Sequence, residues 1–413
     1  MAADETLKKV LDKIDGYRDL AIELETQMTA IPALAPENDG KGEAEKAKLI
    51  RRFLEELKPD RIEEVNCPDD RVPDGYRPNL LAWFEGEDPS RTIWIMTHMD
   101  VVPPGDLNMW KSDPYKVVVE GDKIIGRGVE DNQQGIVSSI LAMRALREAG
   151  VKPAHTVCLA IVADEETGSK YGLQYLLKEK RDAFKKEDLI IIPDAGNEDG
   201  TMIEVAEKSI LWLKFTTIGK QCHASTPEQG INAHRAAAHL IVKLDRLYDI
   251  FNQRNEVFEP PISTFEPTKK EANVPNVNTI PGEDVFYLDC RVLPEIPLSD
   301  VMDKINEMIR EVEEQFKVKI KTESPQTEEA APPTPSDAPV VLALKKAIKD
   351  VTGRDARAMG IGGGTVAAYV RREGLHAAVW STLDEMAHQP NEYAKLSNIL
   401  SDAKVFAHVF LQK

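Results

Sequence analysis

A chain of 413 residues exceeds what one ordinary hydrophobic core organises, so two domains, or three, are expected. An apolar fraction of 42% is ample for burial and excludes wholesale disorder. With 70 acidic against 52 basic residues the net charge is −18, a surface that repels nucleic acid and anionic membrane, so neither is an expected partner.

In chain order, residues 4–30 carry apolar positions at helical spacing and stop at Ile31-Pro32, because the residue before proline is disfavoured in the α region. The polar start MAADETLKKVLDKIDGY has no apolar signal-peptide core. Pro36–Gly42 reads as a loop and Glu43–Leu57 as a second amphipathic helix stopped at Pro59. Asn79–Glu85 and Thr92–Thr97 read as strands, and Tyr115–Glu120 with Lys123–Ile125 as a hairpin around Gly121-Asp122. Ile136–Ala149 predicts a helix ended by Gly150, and Gly172–Lys178 a further one. Thr156–Val162 and Leu189–Pro193 are continuous apolar runs of strand length, as strands buried on both faces are. Helices alternating with such strands predict an α/β layer on a mostly parallel sheet.

From about residue 209 the pattern changes to strand 210–218, helix 230–252, strands 261–266 and 284–293, helix 299–316 capped by Ser299, and strand 317–322. The order β-α-β-β-α-β is that of a ferredoxin-like unit. Ala330–Pro339 is a proline-rich, extended linker, followed by helix 340–352 and strand 375–380. The expected organisation is one α/β domain, residues 1–208 and 325–413, interrupted by an α+β domain, residues 209–324. No run reaches the roughly 18 apolar residues of a membrane span. Cys67, Cys158, Cys222 and Cys290 are far apart with no CxxC, which argues against a zinc–thiolate or disulfide framework and for reduced thiols in a cytoplasmic protein.

The stretch TIWIMTHMDVV at 92–102 ends an apolar strand in His98 and Asp100, which lie on the same side of a strand. Alone, the pair allows three readings: a metal ligand oriented by its carboxylate, a satisfied surface pair, or a His–Asp dyad serving a Ser or Cys nucleophile. No G-x-S-x-G elbow supplies that nucleophile. Other polar residues follow the remaining strands: Asp131 after the hairpin, Asp164, Glu165 and Glu166 after 156–162, Asp194 after 189–193, and Asp384, Glu385 and His388 after 375–380. In open α/β sheets, sites form at the carboxyl ends of strands. An acidic pair or a histidine alone is ordinarily a solvated or structural feature, but several acids and two imidazoles converging on one edge call for a cation. Imidazole with carboxylate and no thiolate suits zinc, cobalt or manganese, and a shared carboxylate would hold two ions about 3.5–4 Å apart. His155, His234, His239, His376 and His408 lack a carboxylate at metal-site spacing and read as structural, Cys222 as a small buried residue, and Trp110 as packing or cleft-mouth.

Five stretches, HMDVVP at 98–103, GRGVEDNQQG at 126–135, ADEETGS at 163–169, PDAG at 193–196 and HQPNE at 388–392, together resemble the M20 metallopeptidases and amidohydrolases over nearly the whole chain. That group includes succinyl-diaminopimelate desuccinylase, acetylornithine deacetylase, aminoacylases and dipeptidases. The resemblance implies a zinc-peptidase-like catalytic domain with an inserted dimerisation or lid domain. It implies His98 and Asp194 on one divalent ion, Glu166 and His388 on a second, and Asp131 bridging both, zinc first and cobalt or manganese as alternatives. Glu165 would be the general base on a metal-activated water, and Asp100 would orient His98. In the insert, CHASTPEQGINA at 222–233 makes His223 the oxyanion-stabilising group, often reaching a partner subunit's site. NVNTIPGEDVFYLDCRVLPE at 276–295 makes Asn278 and Arg291 substrate contacts, and Gly363, Gly364 and Thr365 form a loop approaching substrate. The implied activity is hydrolysis of the amide of a small N-acyl amino acid or short peptide by a cytoplasmic homodimer. A dipeptidase or aminopeptidase rather than a deacylase, and a catalytically silent binding or assembly protein, are the alternatives.

Three departures stand out. Gln133-Gln134 occupies the place where many relatives have a lysine after the bridging aspartate. Aspartate at 194 leans towards the peptidases. Val366-Ala367-Ala368 follows the Gly-Gly-Thr loop without the Asp-Ala/Gly-Arg often seen in desuccinylases.

Overall fold

The computed structural model describes the backbone of residues 2–413 and the side chains of residues 5–413. The chain forms two compact units. Unit 1 holds Met1–Val205, Thr334–Ala358 and Tyr369–Lys413, and unit 2 holds Ala206–Pro333 and Met359–Ala368. Unit 2 therefore runs past residue 324 and takes the glycine-rich loop at 362–364 with it.

The first part of unit 1 carries α1 (Ala2–Ile14), α2 (Arg18–Thr29), α3 (Ala44–Glu56), β1 (Arg61–Pro68), β2 (Tyr76–Phe84) and β3 (Asp88–His98). A hairpin of β4 (Val118–Glu120) and β5 (Lys123–Ile125) leads to α4 (Gln134–Ala149), β6 (His155–Val162), α5 (Leu173–Glu179), β7 (Leu189–Asn197) and β8 (Met202–Glu207). The middle of the chain supplies β9 (Ser209–Ile218), β10 (Cys222–His223), α6 (Ala233–Leu244), α7 (Arg246–Ile250), β11 (Thr264–Lys270), β12 (Thr279–Ile280), β13 (Glu283–Val292), α8 (Leu298–Phe316) and β14 (Lys319–Glu328). The last elements are α9 (Pro339–Thr352), β15 (Arg357–Ile361), α10 (Ala367–Arg372), β16 (Ala377–Thr382), β17 (Tyr393–Lys395) and α11 (Leu396–Phe410).

The large sheet has the order β1-β2-β6-β3-β7-β16-β8-β15. Its centre, β6-β3-β7-β16, is parallel, while β1, β2 and β8 join antiparallel. The apolar runs explain the centre: Ile93–Met96, Val157–Val162 and Ile190–Ile192 are all at most 3% exposed, so both faces of these strands are covered. Helix α4 is buried almost all round and packs against α11, and Gly150 closes it in the left-handed conformation at φ 70°. Parallel strands bring their carboxyl ends to one edge, which is where the polar residues of the motifs emerge.

In unit 2 the four-stranded sheet has the order β11-β13-β9-β14, antiparallel throughout, with α6 packed on α8. This is the ferredoxin-like order of a split β-α-β-β-α-β unit. A separate two-stranded ladder pairs β10 with β12.

Several local expectations are corrected. The first helix breaks at Gly16-Tyr17, giving α1 and α2. Helix 230–252 starts only at Ala233, because Asn232 caps it by accepting the Arg235 amide at 2.9 Å, and it is interrupted at Asp245. Ser299 is not a cap: α8 starts at Leu298 after Pro297, and the Ser299 hydroxyl donates to Asp300. The proline-rich stretch is extended but not a free linker, since Ala331, Thr334 and Ala338 are buried and the Thr334 hydroxyl donates to the Ala377 carbonyl at 2.6 Å.

Candidate metal centre

His98 is the last residue of β3, 2% exposed, and its ring is addressed from both sides. Nδ1 lies 3.1 Å from the Asp100 carbonyl oxygen and 3.4 Å from Asp100 Oδ1. Nε2 faces Asp131 Oδ1 at 3.0 Å and Asp194 Oδ1 at 3.3 Å. Asp131 presents its other oxygen, Oδ2, to His388 Nε2 at 3.1 Å, and Glu166 Oε2 reaches the same nitrogen at 3.0 Å. Two donor groups result, His98–Asp131–Asp194 and Asp131–Glu166–His388, each with its ligand atoms within 4.8 Å of one another. Asp131 belongs to both.

Glu165 is in neither group, yet its Oε2 stands 4.0 Å from His98 Nε2. The turn that carries it is held from below: the Asp100 carboxylate accepts the amides of Glu165 at 3.1 Å and Glu166 at 3.0 Å. Asp100 therefore ties the tip of β3 to the turn after β6, besides flanking the ring. Asp164 goes elsewhere. It adopts a left-handed φ of 64° and turns back to the Tyr171 amide at 2.9 Å, the Thr167 hydroxyl at 2.5 Å and the Arg77 guanidinium at 3.4 Å. Asp384 likewise pairs with Lys395 and Tyr393.

The electrostatics are those of a site short of positive charge. Burial alone would lower the His98 pKa, but hydrogen bonds with Asp100, Asp131 and Asp194 hold it well above the ordinary range. His388 is pushed up to about 10 by hydrogen bonds with Asp131 and Glu166. Burial opposes ionisation of Asp131, yet the His388 and His98 rings keep its pKa well below the usual range. Glu165 is raised by burial and then by the neighbouring Asp194, and Glu166 by burial. Five carboxylates with two imidazoles carry more negative charge than the rings can balance, and Glu166 Oε1 is buried without a hydrogen-bond partner. Such a donor set, imidazole nitrogen and carboxylate oxygen without thiolate, fits divalent cations of the zinc, cobalt and manganese type.

Asn132 was not singled out from the sequence. Its amide nitrogen donates to Asp194 Oδ1 at 2.9 Å and to the Pro193 carbonyl at 2.5 Å, fixing Asp194 beside Asp131. The signal was its place next to Asp131. Gln134, in the departure from the lysine pattern, is buried and donates to Asp402, Ser381 and the Thr382 carbonyl.

Unit 2 brings His223 and Asn278 together, the Ala224 amide donating to the Asn278 carbonyl at 2.8 Å beside the β10–β12 ladder. Both side chains are exposed. The Ser225 amide donates to His223 Nδ1 at 3.1 Å, which leaves the ring proton on Nε2. Arg291 is engaged: Nε and Nη2 fork onto Asp289 at 2.7 and 3.0 Å, and Nη1 donates to the Gly362 carbonyl at 3.0 Å. Thr365 is anchored through its amide and hydroxyl on Glu207, at 2.8 and 2.5 Å. Gly363 has open space around its Cβ position, and Gly364 meets only Glu328 Oε2 at 3.9 Å.

The remaining histidines are outside any three-residue donor group among the described residues. His155, His234 and His408 do find carboxylates, Asp88, Asp284 and Asp350, but each as a single pair between residues remote in sequence. Cys222 is half-buried rather than buried, and Trp110 packs under the Arg127 guanidinium with its indole N–H on the Pro104 carbonyl.

An uncharacterized metallohydrolase of Methanocaldococcus jannaschii is 41% identical over 410 residues, covering 94% of this chain and 98% of that protein. The succinyl-diaminopimelate desuccinylase of Pelagibacter ubique is 24% identical over 338 residues, covering 80% and 84%. Among solved structures, aminopeptidase PepT from Bacillus cereus superimposes with a TM-score of 0.72 at 19% identity, covering 95% of this chain and 98% of that one, a likeness of fold. The sequence model of peptidase family M20/M25/M40 matches residues 94–412, and the chain belongs to that family.

Proposed function

We propose that this M20 metallohydrolase cleaves the amide bond of a small N-acyl amino acid or a short peptide, using two divalent ions that share Asp131 and Glu165 as general base. The observation that carries the reading is the division of one carboxylate, with Asp131 Oδ1 on the His98 side and Oδ2 on the His388 side. His98 and Asp194 would hold one ion, Glu166 and His388 the other. Zinc is the proposed native metal, with cobalt or manganese as substitutes. When bound, such ions supply Lewis acidity, polarising a carbonyl and acidifying water.

The chain's own residues supply the rest. Glu165 takes the proton of the attacking water and returns it to the leaving amine, for which a carboxylate beside the ligands but not among them is suited. Asp100 holds the Glu165–Glu166 turn and the His98 ring in register. His223, with its proton on Nε2, is the proposed donor to the oxyanion. Arg291 and Asn278 are proposed to bind substrate, a substrate carboxylate competing with Asp289 for the Arg291 fork. The loop Gly363–Gly364–Thr365 offers open backbone for the same purpose. We extend the proposal to a homodimer through unit 2, on family resemblance, and to a cytoplasmic location, on four free cysteines.

The test is Glu165→Ala assayed on N-succinyl, N-acetyl and dipeptide substrates with zinc, cobalt and manganese. Turnover is expected to vanish while the metal content matches that of the wild type. An active variant would contradict the assignment.

A further inference from the structure

Two buried carboxylates beside the centre remain after the donor set is assigned. Glu130 immediately precedes Asp131, and Glu392 lies four residues beyond His388. They are 3% and 0% exposed, so their oxygens must be satisfied within the protein. Glu130 accepts the Asp384 amide at 2.8 Å and the Met386 amide, both in the loop that carries His388. Glu392 accepts the amides of Gly128 at 3.0 Å, Glu130 at 3.0 Å and Asp131 at 3.1 Å, all in the loop that carries Asp131, with Arg127 at 2.6 Å balancing its charge. Each loop thus gives a carboxylate to the backbone of the other.

We infer that Glu130 and Glu392 form a reciprocal lock that fixes His388 against Asp131 and thereby sets the affinity of the ion position formed by Asp131, Glu166 and His388. The inference rests on the two-ion reading above. The need for a lock is specific to this position. His98 is at the end of β3 and Asp194 lies within β7, both in the central sheet, whereas His388 sits in an irregular loop, at a left-handed φ of 63°, with its side chain 57% exposed. A ligand on such a loop must be ordered when the ion binds unless the loop is already held, and ordering weakens binding. Charge-assisted hydrogen bonds that the loop amides donate to these buried carboxylates hold it beforehand. Glu130 and Glu392 are positioning residues, acting through His388 and Asp131 without being ligands.

The experiment is a calorimetric titration of zinc into the metal-free full chain, with melting temperatures recorded for every variant. The wild type is expected to take up two ions. Glu130→Ala should keep one tight ion and weaken the other about 10–100-fold, the usual effect of removing a group that orients a ligand. Glu130→Gln retains one acceptor oxygen and should lie between the two. Adding Glu130→Ala to His388→Ala should leave the remaining His98–Asp194 ion as it is in His388→Ala alone. Glu392→Gln, chosen so that Arg127 keeps a hydrogen-bond partner, should weaken the same ion position as Glu130→Ala and, because Asp131 serves both ions, the other to a lesser degree.

Wild-type affinity at both positions in Glu130→Ala, equal weakening of both, or a weakened remaining ion in the double variant would overturn the lock. If Glu130→Ala does not fold, Glu130→Gln decides: unchanged binding overturns the inference. A wild type that binds fewer than two ions would instead overturn the two-ion reading, a separate and recognisable outcome.

Discussion

Asp100 illustrates how one side chain serves several groups. Its carbonyl and carboxylate address the His98 ring, and both carboxylate oxygens hold the amides of Glu165 and Glu166. Asp100→Ala removes the carboxylate from the ring and from the two amides, leaving only the backbone carbonyl on His98. Metal affinity and activity are expected to fall about 10–100-fold, and the two stranded amides to cost about 1–3 kcal/mol each. Zinc titration and urea unfolding read the two effects separately, and a fully active Asp100→Ala would reduce the residue to decoration. At this scale the donor set was legible, because each of its members stands near or beyond the carboxyl end of a strand, within a motif. Asp164 and Asp384 follow strands too, but turn away to Arg77 and to Lys395. Spacing reports which residues reach an edge; it does not report which partner is waiting there. Asn132, Glu130 and Glu392 escaped for the converse reason, since most of their partners are backbone atoms, up to 264 residues distant.

At the scale of elements, the buried parallel strands and α4 were readable from continuous apolar runs and from the Gly150 stop. Strand β1 was not, because it lies at the margin of the sheet and buries only Val65 and Cys67 behind a charged start, Arg61 to Glu64. Helix α11 begins at Leu396, after a Lys395 that provides no capping side chain, so nothing in the sequence announces its start. The join between β7 and β16 is a sensitive point. A Cβ on Gly196 would stand 1.8 Å from the Ser381 carbonyl oxygen, two residues beyond Asp194. Gly196→Ala is expected to force the two strands apart, destabilising the chain by about 1–3 kcal/mol and lowering metal affinity through Asp194. Denaturant unfolding checks the first, and a variant as stable as the wild type would show that the ladder relaxes freely.

At the scale of the whole molecule, α11, β16 and α4 meet on the buried Asp402, which accepts the Thr382 amide and hydroxyl, the Ser381 hydroxyl and the Gln134 side chain. Burial pushes its pKa from 3.8 up to about 6, against the pull of those hydrogen bonds. The unfolded chain releases this proton near pH 4 while the folded chain keeps it until about pH 6. Stability from this group is therefore full at the acid end and lost as pH rises through 6, by about 3 kcal/mol in total. Measured with a chelator present, the stability of wild type relative to Asp402→Asn should fall between about pH 4 and pH 6 and then level off. A flat or rising difference would contradict the burial argument.

The central claim is that Asp131 serves two ions at once. The most direct measurement is a zinc titration of the metal-free chain and of Asp131→Ala. Two ions per chain in the wild type, and loss of tight binding at both positions in the variant, are predicted. One ion in the wild type, or a variant that still binds two, would contradict the account.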